Sequence, residues 1–202
     1  LTRAMWFKEK QGATVHIATV GGANVEPTMR KALAIGADEA IRINAEPTDG
    51  FFVAQQLANI IKDGAYDLIG RESIDYNGGM VPGIIASVLD INFINTCTNL
   101  EIDGANATAT REIDGGKEKI ATTLPLIIGG QKGLVEESDL KIPNMRGIMM
   151  ARQKKLTIVE PIDAIKATQD TKFEKPAAKG AVKLVTSVDE LVNLLHNEAK
   201  VI

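Results

Sequence analysis

The chain has 202 residues, a net charge of −3, 45% apolar and 24% charged residues, and one cysteine, Cys97. That balance belongs to an ordinary globular domain large enough for a substantial core. It disfavours general nucleic-acid binding, which draws on a basic surface. The lone cysteine excludes an intramolecular disulfide, and no run approaches the roughly 18 apolar residues of a membrane-spanning helix.

The first ninety residues alternate helix and strand. A helix over 1–11, with Leu1, Ala4, Met5 and Lys8 on one stripe, is stopped by Gly12. The chain opens inside this helix without an initiator Met or signal peptide, so an N-terminal element is expected ahead of Leu1. A strand over 13–20 turns at Gly21-Gly22 into the helix "VEPTMRKALAIG", where Pro27 fits only the first turn. A strand (39–43), a helix (50–64), the short strand "YDLI" (66–69) and a helix near 80–90 follow. This order predicts an α/β fold: a Rossmann-like, mostly parallel sheet with helices on both faces. Ligands of such sheets bind beyond the carboxyl ends of the strands.

From residue 95 the texture becomes β-rich. Asp103-Gly104 and Asp114-Gly115-Gly116 are hairpin turns, so an antiparallel extension of the sheet is expected. A short helix (144–153) and a strand (156–160) close a domain over 1–160. Residues 161–202 read as an arm without its own core. The arm ends in a helix with a Ser187/Glu190 capping box and an apolar stripe of Val188, Leu191, Val192 and Leu195. That stripe needs cover, either from a partner subunit or from the chain's own domain.

The segment "GRESIDYNGGMVPG" (70–83) places two acids and four glycines between a strand and a helix. Glycines let backbone N–H groups approach phosphate oxygens, and the following helix N-terminus favours negative charge. Asp75 and Tyr76 suit sugar hydroxyls or a base. The structural alternative is an ordinary glycine-rich turn, about equally common. Enzymatic constellations are thin. His16 and His196 have no Cys or carboxylate at metal-ligand spacing, and neither a nucleophile elbow nor a Walker loop occurs. Cys97 lacks a local base and reads as a buried structural residue. Glu72 with Asp75 as a general acid–base pair is the weaker reading.

The segment "TREIDGGKEKIATTLPLIIGG" (110–130) resembles the diagnostic stretch of the electron-transfer flavoprotein beta subunit. Arg111, Asp114-Gly115-Gly116, Glu118, Ile120, Pro125 and Ile127-Ile128 supply its features. "MRKALAIGADEAIRI" (29–43), "GRESID" (70–75) and "IPNMRGIMMARQKKLTIVEP" (142–161) resemble other stretches of that family in the same order. The likeness spans nearly the whole chain and lacks only the family's first strand and the loop after it.

The resemblance implies a non-catalytic subunit of an electron carrier. It pairs with an alpha subunit that holds the redox FAD, takes electrons from flavin dehydrogenases such as acyl-CoA dehydrogenases, and passes them to a quinone reductase or another acceptor. It implies AMP held by Val20 and by the loop residues Gly70, Arg71, Glu72, Ser73, Ile74, Asp75, Tyr76, Asn77, Gly78, Gly79, Met80 and Val81. Phosphate would rest on backbone amides of 78–81. It further implies a partner-recognition segment with Ile142, Pro143, Asn144, Met145 and Arg146. The location implied is the bacterial cytoplasm, or the mitochondrial matrix in a eukaryote. The family's polar loop ending is replaced here by Gly79, Met80 and Val81, which leaves only backbone donors. Residues 66–70 are short for a central strand, as though one or two residues before Gly70 were missing. "NMRGIMMAR" is closer to electron-bifurcating relatives, which hold a second FAD where others hold AMP. From other classes, a stand-alone nucleotide module of the universal-stress type and an adenylyl-transfer enzyme compete; the coreless arm counts against the first, and the absent catalytic constellation against the second.

Overall fold

The computed structural model describes residues 1–64, 66–70 and 78–202. The chain divides into two units, Leu1–Gln169 and Asp170–Ile202. Within the first, α1 (Thr2–Gln11) ends at Gly12, whose φ of 72° is the left-handed geometry that a glycine stop allows. Strand β1 (His16–Val20), a 3-10 turn and α2 (Glu26–Ile35) follow, with Pro27 in the first turn of the helix. Next come β2 (Glu39–Ile43) and α3 (Gly50–Asp63), then β3 (Leu68–Gly70) and α4 (Val81–Leu89). The β-rich part comprises β4 (Asn92–Asp103), β5 (Asn106–Ile113), β6 (Gly116–Thr123) and β7 (Leu126–Gly130). The unit ends with α5 (Met145–Ala151) and β8 (Leu156–Val159).

The α/β class and the antiparallel extension are both present, and the parallel strands are shared between two sheets. One is all-parallel in the order β1-β2-β8; the other runs β3-β7-β4-β5-β6. In the second sheet β4, β5 and β6 pair antiparallel, while β7 lies parallel to both β3 and β4 and separates them. Helices cover both faces. Ile17, Ala40 and Leu156 pack with Met5, Met29, Leu33 and Ala151 from α1, α2 and α5. Val20 and Ile43 point the other way, onto Phe52, Val53 and Leu57 of α3. The odd spacing of these strand residues sets the division, because successive side chains alternate across a sheet.

Two helices straddle both sheets. Helix α1 places Met5 in the core under the first sheet and Phe7 in the core under the second. Its Arg3 donates to the Leu100 carbonyl and its Gln11 to the Ile102 carbonyl, the latter at 3.2 Å. On the opposite face, α3 presents Val53 and Leu57 to Val20 and Ile43, and also to Ile69, Val81 and Ile127. The carboxyl ends of β1 and β3 are therefore set by one helix.

Residues 160–168 run back along α3. Gln56, 2% exposed, clamps Ile162 on both sides: Nε2 donates to its carbonyl at 2.7 Å and Oε1 accepts its N–H at 2.9 Å. Asp49 caps α3 by accepting from Phe52 N at 2.6 Å, and also accepts from Thr168 N at 2.8 Å.

In the second unit, α6 (Val188–Asn193) is capped by Ser187, whose Oγ accepts from Glu190 N at 3.2 Å. The capping box is only half formed. Glu190 accepts from Thr186 N and Thr186 Oγ1, both at 2.9 Å, one residue further back than a reciprocal box requires. Val188, Leu191 and Val192 are exposed.

Candidate functional site

The strand ends selected from the sequence are described at Val20, Gly70 and 78–81. Arg71, Glu72, Ser73, Ile74, Asp75, Tyr76 and Asn77 lie outside the described residues. Val20 closes β1, and its side chain is buried against α3. Gly70 closes β3 at a place where a side chain has no room, since a Cβ would sit 2.9 Å from Ile128 Cγ1 on β7. Gly79 has φ of 60°, the left-handed region that glycine enters at least cost. Met80 is the N-cap of α4 and provides no side-chain cap. Val81 is buried with Ile85 and Ala86 against α3, so it offers a binding site its backbone alone.

The start of α4 has the chemistry of an anion seat. Early N–H groups of a helix have no partner within it, and the helix dipole favours negative charge there. Ile84 N already bonds to Met80 O at 3.0 Å, and Pro82 has no N–H. Val81 and Gly83 are left as the early donors. Val81 and Pro82 of this turn are buried, while the Met80 side chain is exposed. The Val81 and Gly83 donors fit a phosphate held by backbone amides; Val81 lies within the 78–81 stretch expected from the sequence, and Gly83 lies beyond it.

A residue that sequence reasoning passed over anchors the turn after β1. Arg42, 4% exposed on β2, donates to Gly21 O at 2.9 Å, Asn44 Oδ1 at 2.8 Å and Glu26 Oε1 at 3.1 Å. It ties the carboxyl end of β2 to the β1–α2 turn and to the first residue of α2. A Cβ on Gly21 would lie 2.8 Å from Val25 Cγ1, so the turn is tight as well as anchored. The signal was an arginine inside "EAIRI", at a position where a strand of a parallel sheet is buried on both faces.

Cys97 is fully buried in the β4 core; burial pushes its thiol up, against a smaller opposing effect of the hydrogen bond to Asn99 O. Among the described residues no three His, Cys, Asp or Glu side chains converge as metal ligands.

The recognition segment lies apart from the strand ends, on α5 and the loop before it. Asn144 caps α5 by accepting from Gly147 N at 2.7 Å. Ile142 is 82% exposed and Met145 75%, while Pro143 and Arg146 line clefts between α5 and α2.

The family profile described as "Electron transfer flavoprotein domain" matches residues 1–164. The chain belongs to the electron transfer flavoprotein beta-subunit family. It is 40% identical over 220 aligned positions to "Electron transfer flavoprotein subunit beta" of Bacillus subtilis (strain 168), a match covering all of this chain and 84% of the relative. The protein of that name from Syntrophomonas wolfei is 32% identical, with 88% of this chain and 71% of the relative covered. The mitochondrial form from Oryza sativa subsp. japonica is 29% identical, with 98% and 82% covered. Among the described residues no helix is long and apolar enough to cross a membrane.

Proposed function

We propose that this electron transfer flavoprotein beta subunit pairs with an alpha subunit and holds an adenine nucleotide at the carboxyl ends of β1 and β3. The heterodimer carries electrons from flavin dehydrogenases, acyl-CoA dehydrogenases among them, to a quinone reductase or another acceptor. The subunit is a carrier component without a reaction of its own, and its redox FAD resides mainly on the alpha subunit. AMP is the nucleotide assigned to this site, its phosphate on the Val81 and Gly83 amides. It works in the bacterial cytoplasm, or in the matrix if the source is eukaryotic.

The observation that carries this reading is the uncapped start of α4, preceded by Gly79 at positive φ and set beside the end of β1 by a shared helix. Ile142, Pro143, Asn144, Met145 and Arg146 are assigned to docking the redox partner, on the strength of an apolar side chain left outside the core by a proline-restricted loop. The second unit is assigned to the alpha subunit, because Val188, Leu191 and Val192 leave an apolar stripe exposed. Co-expression with an alpha subunit tests the pairing: a flavin-bearing complex should elute as one species. A chain that elutes alone at micromolar concentration, without flavin, contradicts it. Counting flavin in that complex separates a bifurcating type, with a second FAD in this subunit, from the AMP-holding type.

A further inference from the structure

Residues 141–155 contain five Lys or Arg and no Asp or Glu; Lys141 pairs with Glu9 at 2.6 Å, Lys155 with Glu39 at 2.7 Å, and Lys154 donates to the carbonyls of Leu33 and Ala37. The fold lays this segment against α2 and leaves an open cleft of about 560 Å³ between α2 and α5. Pro27, Ala34, Pro143, Ile148 and Ala151 give it an apolar floor. Lys31 and Arg152 stand exposed at its edge, and among the described residues neither side chain has a hydrogen-bond or ion-pair partner. Arg30, also at the edge, is held by the carbonyls of Ala151 and Lys154, both at 2.7 Å, which fixes the helices at either side of the cleft.

Acids nearby already have partners other than Lys31 and Arg152. Glu26 bonds to Arg42 at 3.1 Å, Asp38 pairs with Lys8, and Glu39 pairs with Lys155 and Thr157, each at 2.7 Å. The positive edge is thus uncompensated within the described chain, and the floor beneath it is apolar. A free anion would use the edge and leave the floor wet. A bilayer presents a flat surface that a concave cleft cannot cover. A carboxylate-flanked apolar side chain satisfies both parts at once.

We propose that the α2–α5 cleft receives an apolar side chain flanked by carboxylates, carried on an amphipathic segment of the redox partner. The cleft is continuous with the docking loop through Pro143, so Ile142 projects outward into the partner while a partner side chain enters here. This rests on the docking role given above to 142–146, and it adds the chemistry of what that partner presents. Unpaired edge charges govern encounter and salt dependence, and the apolar floor governs residence.

The test uses the heterodimer with its alpha subunit and a fluorescent helical peptide bearing a Leu stripe flanked by Glu. The peptide should bind saturably, and more weakly as salt is raised. Lys31→Glu combined with Arg152→Glu should weaken it about tenfold or more, and the milder Gln pair less. Ile148→Asp should weaken it similarly, while Ile142→Ala should leave it within about twofold. Failure of the Glu peptide to saturate overturns the proposal. So does equal binding of a Lys-flanked peptide, indifference to the charge reversal, or tighter binding to mixed phosphatidylglycerol–phosphatidylcholine vesicles. The electron-transfer rate of Ile142→Ala tests the docking loop by itself, so failure of that reading is seen separately from failure of the cleft.

Discussion

Gly147 on α5 lies against Ala34 on α2 so closely that a Cβ would sit 2.3 Å from the Ala34 carbonyl oxygen. The obstructing atom is backbone in the last turn of α2, so no side-chain rotation relieves the clash. Gly147→Ala should therefore force α5 away from α2 and cost about 1–3 kcal/mol. The urea midpoint of the chain checks this. A change within about 0.5 kcal/mol would mean that the two helices are not in contact as described.

Carboxylates held below their usual range make the first unit sensitive to acid: Glu39, bonded to Lys155 and Thr157, and two more. Burial opposes ionisation of Asp38, but Lys8 and the Val15 amide outweigh it and hold the carboxyl below its usual range. Burial likewise opposes ionisation of Asp49, and backbone N–H groups of Phe52, Thr168 and Ala167 outweigh it. A folded-state aspartate pKa below the unfolded value of about 3.9 means that the unfolded chain binds more protons in that window. The stability these groups contribute is complete above about pH 4 and is lost as pH falls through their folded pKa values. Urea midpoints measured downward from about pH 5 should fall, and Asp38→Asn should flatten that limb while lowering the plateau. A limb of unchanged slope in the mutant would remove Asp38 from the account.

Much of the fold was legible because its cues are local. Gly12, Pro27 and the Asp-Gly turns each act through the φ angles of one or two residues, and helix and strand boundaries fell within a few residues of them. The insertion of β7 between β3 and β4 was not legible, since parallel pairing joins residues far apart in sequence and no turn specifies it. A clue existed: Leu126, Ile127, Ile128 and Gly129 are all buried, as a central parallel strand must be. Arg42 was missed because its burial depends on Gly21 O, Asn44 and Glu26 converging from three elements. The glycine loop was legible at its two ends, Gly70 and 78–81, where close packing on Ile128 and a positive φ explain the residue type. The half-formed capping box shows the limit of a motif, which fixes residue spacing but not which N–H a carboxylate meets.

The exposed apolar stripe of α6 leads to a separable test. Burying a leucine is worth about 1.5–3 kcal/mol, so two placed in an interface account for a large share of its affinity. Leu191 lies on that stripe and Leu195, half-buried, follows just beyond α6; Leu191→Asp with Leu195→Asp should weaken pairing with the alpha subunit by at least about a hundredfold. The urea midpoint of the first unit should stay where it is, because Leu1–Gln169 is a unit by itself. Pairing at full affinity in the double mutant would assign the interface to other residues.

Adenine-nucleotide content of the purified heterodimer tests the central claim most directly, compared between the natural chain and Gly79→Asp. The substitution places a carboxylate next to the α4 amides and a side chain at φ of 60°. The natural heterodimer should release one adenine nucleotide beyond the alpha subunit's FAD, and Gly79→Asp should lose that nucleotide while keeping the FAD. A mutant that retains it in full, or a natural heterodimer that releases none, contradicts the assignment of the β3–α4 turn.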